Sequence, residues 1–171
     1  IGNPVINPTI APQLGDSGIA GGLHGTCTRE GSGCLGNPSK KMHDGVDIKN
    51  IYGAPVYAMY DGTARLATQI KNGKVDGAGY HISIISTVNG QNIRLVYFHL
   101  QENNRKSGIV KAGDIIGYQG DSGNLKAAIE QELTESHVHV KAEKNGQMAD
   151  PLEYLATKID PRTGQITNPC K

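Results

Sequence analysis

The sequence predicts a mainly β fold, and three observations carry the prediction. The 171 residues include 23 glycines, 7 tyrosines and no tryptophan, a composition of tight turns between short strands rather than of a helical bundle. The β-branched and aromatic runs YHISIIS and IRLVYFHL flank Asn89-Gly90, the strongest short hairpin signal, and so read as adjacent antiparallel strands. Helical spacing is confined to two short stretches, near 125–135 and 150–159.

Each segment follows from its own residues. Residues 1–18 carry three prolines and little periodicity, which predicts an extended N-terminal arm. APVYAMYDGTARLA gives two apolar runs split by Asp61-Gly62, a hairpin or strand-turn-strand signal. In IRLVYFHL, the period of two puts Ile93, Leu95, Tyr97 and His99 on one face, so His99 ends a strand on the side of the core or of a cleft. VKAGDIIGYQGDSGN reads as turn, strand, turn, with Asp121 and Asn124 as turn formers. LKAAIEQELTES spaces Leu125, Ala128, Ile129 and Leu133 for a short helix, and SHVHVKAE returns to strand. DPLEYLATKI predicts a closing helix, with Asp150 as N-cap, Pro151 in the first turn and Glu153 completing a capping box. The reading is an arm over 1–18, one domain over 19–160 and a tail over 161–171.

Composition removes several functions. Seventeen Lys and Arg stand against 16 Asp and Glu, so no broad basic field exists to hold nucleic acid. No stretch approaches the roughly 20 apolar residues of a membrane span, and the N-terminus lacks signal-peptide character, so the chain reads as soluble, with any export signal removed or never adjacent; a monomer is expected. Cys27 and Cys34 bracket a polar loop, CTREGSGC, that suits a small disulfide-closed loop in an oxidising compartment. Free thiols are the alternative because Cys170 leaves the count odd, and zinc thiolates are disfavoured because neither cysteine has a CxxC partner.

Chemistry concentrates in HDGVD (43–47) and HVH (137–139). Two histidines at i and i+2 on a strand deliver both imidazoles to one side of a sheet. His43 and Asp47 stand four apart, with Gly45 letting the chain curve so that imidazole and carboxylate can reach one ion. Nitrogen and carboxylate donors together suit Zn²⁺, and a catalytic site wants three protein ligands with one position open. His43, Asp47, His137 and His139 are four candidates for three places, and the spare histidine can serve as a general base. Asp44 reads as an exposed turn residue, His81 as an ordinary strand residue, His24 as outside the cleft, and Tyr57, Tyr60, Tyr97 and Tyr118 as packing residues with polar tips.

In order, HDGVD, GAPVYAMYDGTA, YFHL, KAGDIIGYQGDSGN, HVH and ADPLEYL resemble the landmarks of the M23 (lysostaphin-type, LytM) zinc metallopeptidases over about residues 20–156. The resemblance implies antiparallel sheets with an open groove and one Zn²⁺ held by His43, Asp47 and His139. It also implies that His137 and His99 assist catalysis, His137 as general base and His99 as donor to the oxyanion. The implied function is a zinc endopeptidase that cuts peptide cross-links or stem peptides of bacterial peptidoglycan, acting in the periplasm, at the cell wall or as a secreted protein. Two readings stand beside it. A noncatalytic LytM-type module would activate a wall amidase, although such modules usually lack the ligands present here. An antibacterial toxin domain would have an immunity protein as partner.

The chain departs from the family pattern twice. NLKAAIEQELTES precedes His137 where the family has a short loop, so the predicted helix is expected to border the groove. GGLHGTCTREGSGC replaces part of a strand that in the family ends in a phenylalanine-glycine pair and an arginine.

Overall fold

A computed structural model describes residues 2–14 and 17–168, so Cys170 lies outside the described residues. Among the described residues, eleven strands run in chain order: β1 (Arg29–Glu30), β2 (Lys40–Lys41), β3 (Val46–Lys49), β4 (Pro55–Tyr57), β5 (Gly62–Lys71), β6 (Lys74–Val88), β7 (Gln91–Leu100), β8 (Gly108–Val110), β9 (Ile115–Tyr118), β10 (His137–Lys144) and β11 (Gln147–Ala149). The described residues also form a helix, α1 (Leu125–Glu130), and 3-10 turns over Ile19–Gly22 and Pro151–Tyr154.

The main antiparallel sheet has the order β11-β10-β7-β6-β5-β8, with β3 on β10 beside β11. The β4–β9 and β1–β2 pairs lie off it. Asn89-Gly90 closes the β6–β7 hairpin with both residues at positive φ (50° and 74°), the backbone such a two-residue turn requires. The same dipeptide closes β5–β6 at Asn72-Gly73 and β10–β11 at Asn145-Gly146, two hairpins that the strand runs alone do not announce. Asp61-Gly62 makes no hairpin: β4 pairs with β9, whereas β5 pairs with β6 and β8, so the segment is strand-turn-strand without mutual pairing.

One face of the sheet is buried. Ile82, Ile84, Ile93, Leu95, Tyr97, Val138, Val140 and Ala142 pack with Val46, Ile48, Val56 and Met59 from β3, β4 and the following turn. Each of the buried valine, leucine, isoleucine and methionine side chains contributes about 1.5–3 kcal/mol by leaving water. Tyr97 accepts the Met59 N–H at its hydroxyl, and burial pushes that phenol's pKa up. The opposite face of β10 carries His137 and His139, so the pleat that seals the core also presents both imidazoles.

Both helical stretches are shorter than predicted. α1 ends at Glu130, and Glu132 adopts a left-handed φ of 56° that turns the chain toward Thr134. The stretch from 150 gives a single 3-10 turn: Asp150 caps Leu152 N at 3.0 Å, but Leu155 is already extended at ψ 145° and is fully buried. Sinking Leu152, Tyr154 and Leu155 into the core outweighs the local helical preference.

The N-terminal segment lies along the free edge of β3. Thr9 O accepts Lys49 N–H and Asp47 O accepts Ala11 N–H, each at 2.8 Å, with Val5, Ile10 and Ala11 buried. Farther on, Leu133 O accepts Leu14 N–H and Pro12 O accepts the Thr134 hydroxyl, tying the segment before β10 in place.

Candidate metal centre

The β3–β10 register sets His139 directly opposite Asp47. His43 enters from the turn before β3, and its Nδ1–H donates to Leu23 O at 3.0 Å, which leaves the Nε2 lone pair facing inward. Gly45, between His43 and Asp47, must be glycine because a Cβ there would overlap the His139 ring and Val140 O. Three donor atoms converge: His43 Nε2 and His139 Nδ1 are 3.1 Å apart, His43 Nε2 and Asp47 Oδ1 are 3.2 Å apart, and His139 Nδ1 and Asp47 Oδ1 are 2.9 Å apart. A tetrahedral ion with bonds of ~2.0–2.1 Å places its ligand atoms about 3.3 Å from one another, so this triangle fits Zn²⁺ in size as well as in donor type. All three residues are buried.

Arg29 of β1 donates from Nη2 to Asp47 Oδ2 at 2.6 Å and to His43 Nε2 at 3.0 Å. Asp44, exposed on one side, brings Oδ1 within 3.2 Å of His139 Nε2, an ion-pair approach without hydrogen-bond alignment. Lys141 Nζ stands 3.6 Å from the same carboxylate. Neither role was predicted. A side chain beyond the ligands acts through long-range placement, and the only sequence signal for Asp44 is its position inside HDGVD.

The charges follow from these contacts. Burial opposes ionisation of Asp47, but the flanking His137, His43 and His139 outweigh it and hold the carboxyl well below its usual range. Burial also opposes charge on His139, yet Asp44 and Asp47 prevail and raise its pKa. His43 and His137 are both lowered, mainly by burial, against the pull of Asp47.

His137 shares the face of His139, with Nε2 3.4 Å from Asp47 Oδ1 and Nδ1–H donating to Glu135 O at 2.8 Å. His99 reaches the same place by a different route. Strict alternation would leave it with Tyr97 on the core side, but the β6–β7 register slips between Tyr80 and Ile82, and His99 takes φ 67°. That bulge swings the ring to 5.6 Å from His137 and 6.3 Å from His139, centroid to centroid. Its Nδ1–H donates to Ser122 O at 2.8 Å, and burial, chiefly, lowers its pKa to about 3. Phe98, the single phenylalanine, lies 4.5 Å from the His139 ring and dries that side of the cluster.

The cluster floors a cavity of ≈ 580 Å³. Leu125 and Ala128 of α1 line it, as the inserted helix was expected to, and Thr28, Arg29, Lys41 and Met42 form the facing wall. A Cys27–Cys34 disulfide closes the loop that carries Arg29. His24 is outside the cavity lining, and His81 bonds its own strand at Gly79 O.

Comparison with known proteins agrees with this geometry. The sequence pattern of peptidase family M23 matches residues 41–151. Over 112 residues the chain is 30% identical to the DD-carboxypeptidase/endopeptidase Mpg of Neisseria meningitidis serogroup B; the match covers 66% of this chain and 22% of that protein, so the chain spans about a fifth of its length. The catalytic domain of the antimicrobial peptidase lysostaphin from Staphylococcus simulans superposes with a TM-score of 0.50 at 31% identity, over 74% of this chain and 88% of that one. A zinc-containing peptidase from Vibrio cholerae shares the fold with a TM-score of 0.55 at 22% identity, over 86% of this chain and 37% of that one. With its His-Asp-His cluster intact and the family pattern covering most of the domain, the chain belongs to peptidase family M23.

Proposed function

We propose that this chain is the catalytic domain of a zinc-dependent endopeptidase that cuts peptide bonds in bacterial peptidoglycan. The observation that carries the reading is the convergence of His43 Nε2, Asp47 Oδ1 and His139 Nδ1, with His137 and His99 beside them, on the floor of an open cavity. Zn²⁺ held by these three residues supplies the Lewis acid for the scissile carbonyl and the attacking water.

The remaining chemistry belongs to the chain. Glu135 O holds the His137 Nδ1–H, so His137 Nε2 offers a lone pair to the attacking water's proton, and Asp47 beside it favours the imidazolium that results. His99 is a neutral ring whose one N–H is spent on Ser122 O, so its Nε2 is an acceptor. An acceptor that orients a water O–H or a substrate N–H suits this tautomer better than the oxyanion donor implied by resemblance, which requires His99 to be protonated. The disulfide supports action outside the reducing cytoplasm, in the periplasm or at the cell wall. Deployment as an antibacterial toxin would add an immunity protein covering this cavity, without changing the chemistry within it.

The test is digestion of purified sacculi of two cross-link chemistries by the wild type, a chelated sample and His137→Ala, with released muropeptides identified by mass. Cleavage should require metal and should fall by about 10²–10⁴-fold in His137→Ala while one zinc per chain is retained. Intact walls of both kinds, with one zinc bound to the wild type, would instead favour an amidase activator.

A further inference from the structure

We propose that Arg29 is a positioning residue for the metal ligand Asp47, and that the Cys27–Cys34 disulfide exists to hold it there. The inference rests on the metal centre proposed above and adds to it a residue outside the three donors.

Asp47 has two carboxylate oxygens with different duties. Oδ1 faces His43 and His139, whereas Oδ2 is taken by Arg29 Nη2 at 2.6 Å. The Asp47 side chain is 3% exposed, so without Arg29 its outer oxygen would be a buried charge facing no cation and free to rotate into the place of Oδ1. A charge-assisted bond this short fixes the plane of the carboxylate, and carboxylates that bind metals are themselves oriented by such outer partners. Were an ion held at His43 Nε2, Arg29 would give up that contact and keep the one to Oδ2, because Asp47 offers a second oxygen.

At its base the loop that delivers this guanidinium is held by Gly25 N–H to His43 O and His43 N–H to Thr26 O, and beyond them the disulfide is its main tie. β1 and β2 are two residues each and pair only with each other, with Arg29 opposite Lys41 and Glu30 opposite Lys40. A two-stranded ribbon of that length is not stable by itself. Gly31 and Gly33 sit at φ 145° and 108°, and Leu35 is fully exposed, so the segment brings little apolar anchorage of its own. The disulfide bridges the two ends of the loop, with a Cα–Cα distance of 6.0 Å, and Cys34 is the residue of the loop that is buried. Thr28 accepts the other Arg29 nitrogen at 2.9 Å and contacts Thr26, whose hydroxyl donates to Leu23 O, the same carbonyl that holds His43. The cross-linked loop and the first ligand thus share one anchor.

The experiment is the zinc dissociation constant by chelator competition for the wild type, Arg29→Gln, Arg29→Lys, Cys27→Ser/Cys34→Ser and the triple variant, with cobalt(II) spectra of each loaded protein. Arg29→Gln should weaken zinc about 10–100-fold and alter the cobalt bands, Arg29→Lys should recover part of the loss, and the double serine variant should weaken zinc in the same direction. The triple variant should be no weaker than Arg29→Gln alone, because the disulfide acts through Arg29. Unchanged or tighter zinc binding in Arg29→Gln overturns the positioning role, and additive losses overturn the link to the disulfide. Circular dichroism of the metal-free variants separates these results from unfolding. A wild type that binds no zinc would refute the metal centre itself, a result distinct from any ranking of the variants.

Discussion

Asp47 and His139 show how individual residues divide the work at the site. Opposite each other on β3 and β10, both belong to the candidate metal cluster, and each has a charged side chain behind it: Arg29 bonds Asp47, and Asp44 approaches His139. The approach to His139 has a consequence in pH. Its proton must leave before an ion can bind, and Asp44 and Asp47 raise its pKa against the opposing effect of burial. Zinc affinity should therefore be full above that raised pKa and fall as pH drops through it, starting at a higher pH than an ordinary histidine would give. Asp44→Asn removes one of the two carboxylates, so the fall should move to lower pH. Calorimetric zinc titrations at stepped pH follow the midpoint; if it does not move in the variant, Asp44 does not act on His139.

The N-terminal arm and the strands it borders are coupled on the scale of elements. The arm occupies the edge of β3 that β10 leaves free, so the strand bearing Asp47 is hydrogen-bonded on both sides. Ile10, 6% exposed, pins the arm into the core cluster. Ile10→Ala should cost about 2–5 kcal/mol, read as a lower urea midpoint with an unchanged slope. A cost near zero would mean that the arm lies on the domain without stabilising it. The arm's other end meets Leu133 and Thr134, next to the carbonyl of Glu135 that orients His137, so one segment braces a proposed ligand strand and the proposed base. The short α1 follows the same logic: only Leu125 is buried, and Leu125 and Ala128 are its two residues that line the cavity.

For the whole molecule, the three donors come from β3, the turn before it and β10, so the centre is as preformed as the sheet itself. Zinc that binds only the folded chain stabilises it by mass action, by about 4 kcal/mol at a thousand times its dissociation constant. For a domain of this size that corresponds to roughly 8–16 °C in Tm. Scanning calorimetry with zinc and with chelator measures the difference, and equal Tm values would contradict binding to a preformed cluster. The sequence by itself determined the mainly β class, the hairpin at Asn89-Gly90 and the four residues His43, Asp47, His137 and His139, because pleat alternation and four-residue spacing are local and leave a periodic trace. Resemblance narrowed those four to three ligands and added His99. Tertiary structure decided the rest. The bulge that swings His99 off the core face, the shortening of both helical stretches and the approach of Arg29 and Asp44 to the donors all arise from contacts between segments distant in sequence. Such contacts have no period for a local pattern to record, since packing chooses among conformations that the local chain leaves nearly equal in energy.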